Sequence, residues 1–178
     1  MNMRRIPNRF GGGSQTNANG LLFEQTTSLD EALKEAGFVV DNFRVYKEGL
    51  QLGYSVSKSK LYSIFLEPNG IDYRDYNSKQ WQPDECFINE QDRVAYIIEK
   101  KFQNTSGSVD EKLPGCHFKM LEYRKLFLPL GFDVEYFYVF NDWFQQEQYA
   151  DTKEYIIDMG CDYFFNGIPL EKLGLEDF

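Results

Sequence analysis

Two extended runs joined by a short polar turn constrain this chain most. Glu85 to Ile88 and Val94 to Phe102 flank Asn89-Glu90-Gln91-Asp92-Arg93, and a polar link of that length predicts an antiparallel β-hairpin. Side chains alternate between the two faces of a strand. Ala95, Ile97, Glu99, Lys101 and Gln103 therefore share one face, and Tyr96, Ile98, Lys100 and Phe102 the other. The second run is apolar until it closes on Glu99-Lys100-Lys101, three consecutive charges that a merely solvated strand end does not require. Asp84, behind Pro83, begins the partner strand and comes near Glu99 if the two strands cross or splay there.

The rest of the chain supplies a setting for this hairpin. With 178 residues, 42% of them hydrophobic and 17% aromatic, it buries one substantial core and has little room for a second. Apolar spacing from Asn17 to Ala36, stopped by Gly37, predicts a first helix that includes Glu24. The segments Phe38 to Tyr46, Leu50 to Val56 and Leu61 to Leu66 have β-rich composition and read as short strands and loops, with Pro68-Asn69-Gly70 as punctuation. Asp72 to Gln82, with Arg74, Lys79 and Trp81, reads as a loop. Val109 to Leu113 reads as a short helical turn, and a longer helix follows from about His117 to Leu128. That helix has one stripe of Phe118, Leu121 and Leu128 and another of Met120, Tyr123 and Phe127, a width that implies burial on much of its surface. Phe132 to Asn141 is apolar enough for a central strand; Tyr149 to Met159 reads as a helix and Cys161 to Phe165 as a last strand. This order predicts a single α/β domain with a central mixed sheet flanked by helices.

Net charge excludes less than its total suggests. The formal charge is −9, yet residues 1–130 hold 17 Lys+Arg and 17 Asp+Glu, so the whole excess lies in residues 131–178. Between Lys100 and Lys125 the balance is positive, with six basic residues against Asp110, Glu111 and Glu122. A locally positive groove remains compatible with an acidic chain. Residues 1–16 contain three arginines and Gly11-Gly12-Gly13, the composition of a flexible basic arm ahead of a domain over 17–178.

Cys86, Cys116 and Cys161 lie far apart, and His117 is the sole histidine, which argues against a structural zinc site. An odd cysteine count without a secretory signal fits reduced thiols in a cytoplasm, and no stretch has the run of apolar residues that a membrane-spanning helix needs.

One Asp, one Glu and one Lys at this spacing suit phosphodiester hydrolysis. The reaction needs a metal that neutralises phosphate charge and lowers the pKa of a bound water, and hard carboxylates are the ligands for Mg²⁺. Asp84 and Glu99 are the natural ligands, with the backbone carbonyl of Lys100 as a third donor. The Lys101 ammonium suits a water-steering and charge-stabilising role.

Pro83-Asp84 followed by Glu99-x-Lys101-x-Gln103, with Glu24 on an earlier helix, resembles the PD-(D/E)XK nuclease superfamily over roughly residues 17–141. The loop Ser106-Gly107-Ser108-Val109-Asp110-Glu111-Lys112 is similar to that of type II restriction endonucleases. The resemblance implies a restriction-endonuclease-like fold and Mg²⁺-dependent cleavage of double-stranded DNA. It gives Asp84 and Glu99 the metal, Lys101 the water, Glu24 a supporting role at the metal site, and Gln103 a site-lining hydrogen bond.

Glu111 and His117 are secondary candidates beyond the motif strand, and Ser106, Ser108, Lys112 and Lys119 are candidate phosphate contacts; Lys119 and Arg124 suit solvated positions equally well. Glu85 is a lesser candidate ligand, because alternation points it to the other face. Double-strand cleavage by so small a chain implies a homodimer, or a heterodimer with a DNA-recognition subunit, with residues 131–178 turned away from DNA. Two other readings are a catalytically silent assembly module and an acidic DNA mimic. The intact Asp84, Glu99 and Lys101 weigh against the first, and the neutral charge of residues 1–130 against the second.

Overall fold

Alternation along the strands and two helical layers produce a three-layer α/β fold. The computed structural model describes residues 19–24 and 26–178; the arm expected over residues 1–16 lies outside the described residues. Seven strands, β1 (Val39–Asp41), β2 (Arg44–Lys47), β3 (Leu50–Val56), β4 (Glu85–Asn89), β5 (Val94–Lys101), β6 (Asp133–Phe140) and β7 (Asp162–Phe165), form one sheet in sequence order. β1 to β5 pair antiparallel, whereas β6 and β7 join parallel through helical crossovers. The sheet is mixed, as the order of elements predicts.

Each face has its own core. Cys86, Ile88, Ala95, Ile97, Val134, Tyr136, Tyr138 and Phe140 pack beneath α3 (Cys116–Phe127) and α4 (Ala150–Asp158), through Met120, Tyr123, Leu126, Phe127 and Ile156. Phe87, Tyr96, Ile98, Phe137 and Val139 pack on the opposite side against Phe23 of the helical segment 19–24 (α1) and Leu29 and Leu33 of α2 (Leu29–Glu35). Fully burying Leu29 and Leu33 stabilises this layer by about 2 kcal/mol each.

Three local expectations are corrected. The single helix expected over residues 17–36 is broken at Thr27–Ser28. Thr27 Oγ1 donates back to the Phe23 carbonyl at 2.6 Å, and Ser28 caps α2 by accepting from Glu31 N at 3.4 Å. Leu61–Leu66 is a π-helical turn and no strand: Leu61, Tyr62, Phe65 and Leu66 are buried, a helical spacing that outweighs their β propensity. Of the two expected stripes, Met120, Tyr123 and Phe127 are buried, while Phe118 and Leu121 of α3 and Leu128 just beyond it are exposed.

The far end of the hairpin is anchored by the C-terminal segment. Asn89 Nδ2 donates to the Leu173 carbonyl at 2.9 Å, and Leu173 and Leu175 enter the α2-side core. The acidic part is not uniformly remote from the charged end of β5, because Asn141 bonds reciprocally with the Gln103 backbone at 3.1 and 2.6 Å.

Candidate active site

The β4–β5 register places the two carboxylates opposite one another. Glu85 pairs with Ile98 and Cys86 with Ile97, so Asp84, one residue before β4, follows at the position facing Glu99, and the two carboxyl groups share a hydrogen bond. Both share the α3-side face by alternation. Asp84 Oδ2 accepts from Lys100 N at 2.8 Å, which locks the Asp84 carboxylate onto the edge of β5. Backbone N–H and C=O of one residue in an antiparallel strand point to the same side, so the Lys100 carbonyl faces the Asp84 side as well.

Charge is concentrated here. Burial and the Asp84 charge, with a hydrogen bond that protonated Glu99 donates to the same carboxylate, push Glu99 up to about 7 although Lys119 and Lys101 oppose the shift. Burial works against Asp84 too, but hydrogen bonds from Lys58 and Lys100 N outweigh it and hold its carboxyl below the ordinary range. Lys101 Nζ lies 3.8 Å from Glu99 Oε2, and Lys119 of α3 feels Glu99, Lys101 and Asp84. Burial, helped by Lys101 and Lys79, lowers the Lys119 pKa.

The opposite face is a separate, structural ion pair. Glu85 Oε2 lies 3.0 Å from Lys100 Nζ, and the same carboxylate accepts from Leu29 N at 2.9 and 3.0 Å. Glu85 is thereby engaged away from Asp84, where alternation put it. Lys100 Nζ also donates to the Glu24 carbonyl at 3.3 Å, while the exposed Glu24 side chain acts on Lys58 by its charge.

Gln103, two residues beyond β5, is buried, and its Oε1 has no hydrogen-bond partner among the described residues. Ser106, Ser108 and Lys112 are exposed on the loop and 3-10 turn beyond it. Glu111 is exposed on the 3-10 turn Asp110–Gly115, and His117 is half-buried in the first turn of α3. Neither hydrogen-bonds to Asp84, Glu99 or Lys101.

Lys58 is the residue sequence reasoning missed. It leaves β3 in the left-handed region at φ 50°, donates its N–H to the Pro83 carbonyl at 2.8 Å and forms an ion pair with Asp84. Burial opposes its charge, yet the hydrogen bond and charge of Asp84 raise its pKa. The signal available was indirect: β3 neighbours β4, so the turn after β3 ends beside the start of β4.

The donor set suits a hard divalent cation. Two carboxylates in hydrogen-bond contact, one held ionised and one pushed up by its neighbour, are what a small dication relieves. Among the described residues no cluster of three or more His, Cys, Asp and Glu side chains gathers, so the protein side chains facing such an ion are these two.

A mixed α/β sheet that carries paired carboxylates and a lysine at the open end of its central hairpin has a restriction-endonuclease-like architecture. A family model described as the PD-(D/E)XK nuclease superfamily domain matches residues 15–125, and the chain belongs to that superfamily. No curated protein and no solved structure matches the chain significantly. Membership supports a nuclease-type function and implies a DNA substrate, and nucleases of this superfamily generally use Mg²⁺. Among the described residues no helix is long and apolar enough to cross a membrane.

Proposed function

We propose that this chain is an Mg²⁺-dependent DNA endonuclease of the restriction type, acting as a homodimer or as the catalytic subunit beside a DNA-recognition partner. The observation that supports this reading most is the pairing of Asp84 with Glu99 on the sheet face that also holds Lys101. Asp84, Glu99 and the Lys100 carbonyl hold the ion. Bound there, Mg²⁺ neutralises phosphate charge and lowers the pKa of a coordinated water. Lys101 holds the attacking water and stabilises charge developing on the phosphorane oxygens. Gln103 lines the site with its unpartnered Oε1, Glu24 supports it from α1, and Ser106, Ser108, Lys112 and Lys119 contact phosphates of the bound strand. Three buried free thiols fit a reducing cytoplasm.

Plasmid nicking with and without Mg²⁺ tests the reading. Cleavage that requires Mg²⁺ and is lost in Asp84→Ala and Lys101→Ala, with circular dichroism unchanged, is the expected result. Metal-independent cutting, or full activity in both variants, overturns it.

A further inference from the structure

The exposed Phe118 and the half-buried Trp81, on the side of the carboxylates, have no part in the chemistry described so far. Phe118 projects from α3 with 57% of its surface exposed, although burial of that stripe was expected from its composition. Its ring meets Trp81 edge-on, with centroids 6.0 Å apart and planes at 77°. Trp81 is fixed from behind: its Nε1 donates to the buried Glu122 carboxylate at 3.3 Å, and its carbonyl accepts from the Tyr62 hydroxyl. Asn77 ties the same loop to α3 by donating to the Glu122 carbonyl at 3.0 Å. An indole held in this way braces the neighbouring phenyl ring, whose other ring face meets no aromatic neighbour among the described residues.

Two lysines sit against the Trp81 ring. Lys79 Nζ lies 4.1 Å and Lys119 Nζ 5.8 Å from the centre of the Trp81 ring. Trp81 stands three residues before Asp84, at most about 11 Å along the chain, and Phe118 adjoins Lys119 on α3, whose ammonium interacts electrostatically with Glu99 and Asp84, so the rings lie on the side of the carboxylates. An exposed ring braced by an indole that carries two ammonium groups, next to a site for a phosphodiester, combines the two elements with which proteins hold single-stranded nucleic acid: an aromatic face for the base and ammonium groups for the backbone. An apolar protein partner would have to desolvate both lysines without compensation.

We propose that Phe118, braced by Trp81, is a stacking platform for an unpaired DNA base next to the scissile phosphate, with Lys79 and Lys119 holding the adjoining phosphates. Cleavage is thereby favoured where a base beside the cut can leave the helix, as at a fork or a flap. This rests on the nuclease reading for its substrate, and binding without metal separates the two.

The test uses Glu99→Gln protein in EDTA, with oligo-dT, a forked duplex and a blunt duplex as probes, read by tryptophan fluorescence and anisotropy. The expected result is quenching by oligo-dT and fork. Phe118→Ala then weakens binding of both on the order of 10-fold or more, the effect of one lost base–aromatic stack, while blunt-duplex binding changes less than about twofold. Phe118→Trp restores the preference and Phe118→Leu does not, since leucine keeps the apolar surface without a π face. Equal weakening on all three probes, or full rescue by leucine, overturns the platform. So does a dimer that Phe118→Ala converts to monomer in sedimentation, which would assign the stripe to a second copy of this chain. Wild-type cleavage that is indifferent to Phe118→Ala sinks the platform and leaves the nuclease reading standing; a retained fork preference without any cleavage supports the platform and sinks the nuclease reading.

Discussion

Asp84 and Glu99 face one another one step beyond the Glu85–Ile98 pair, and their carboxyl groups share a hydrogen bond. That arrangement costs folding free energy, because burial and mutual repulsion disfavour two charges there, and Glu99 is pushed up to about 7 as a result. The lysines around it, Lys58, Lys101 and Lys119, offset part of the cost.

Glu99→Gln should therefore separate stability from activity. Removing a charge from a residue only 6% exposed relieves the repulsion, so the melting temperature stays level or rises. Cleavage falls by at least on the order of 100-fold, the scale of losing a group that stabilises transition-state charge. Thermal melting and nicking on one preparation check both, and a large drop in melting temperature would show that Glu99 serves folding instead.

Lys58 competes with a cation for Asp84. Its ammonium occupies one oxygen of that carboxylate while Lys100 N occupies the other. Lys58→Met should tighten Mg²⁺ binding roughly fivefold, the equivalent of about 1 kcal/mol for a partly exposed ion pair. Calorimetric titration with MgCl₂ reads this directly; unchanged or weaker binding would mean that Lys58 stands aside when the ion enters.

Glu85 is expected to behave as a structural residue although it adjoins Asp84 in sequence. In Glu85→Ala the Lys100 ammonium, with only 10% of its side chain exposed, loses its ion-pair partner and keeps the Glu24 carbonyl alone, and Leu29 N loses its acceptor. The cost is about 3 kcal/mol. Urea denaturation should show this loss, with Glu85→Gln intermediate, while cleavage per folded molecule falls far less than in Asp84→Ala.

Strand parity made the motif face legible, because a period of two needs no tertiary knowledge to separate Glu99 and Lys101 from Lys100, or Asp84 from Glu85. Register was less accessible. The Asp84–Glu99 approach follows from a hairpin turn whose pairing the sequence does not number, and Lys58 enters through strand adjacency, a long-range property. Leu61–Leu66 shows the limit of composition: its β-rich residues form a π-helical turn because the buried positions recur at helical spacing against Phe127 and Phe132. The exposure of Phe118 was hidden for the same reason, since an apolar stripe on a helix does not reveal whether a neighbour covers it.

Gly53 offers a test of the scaffold that positions Asp84. It pairs with Asn89 across β3 and β4, and a Cβ there would stand 1.8 Å from the Ile88 carbonyl oxygen and 2.9 Å from its carbon. Gly53–Asn89 is the end pair of the β3–β4 ladder, but the atoms met are backbone and have no rotamer through which to yield, so β3 and β4 must separate there. Gly53→Ala should cost about 3 kcal/mol, the upper part of the range for overpacking a filled interior. It should also displace the turn that carries Lys58 relative to Pro83 and Asp84. Denaturation midpoints measure the first effect. Hydrogen exchange at the Lys58 and Lys100 amides measures the second, with faster exchange at both expected and native-like protection of both counting against a rigid β3–β4 contact.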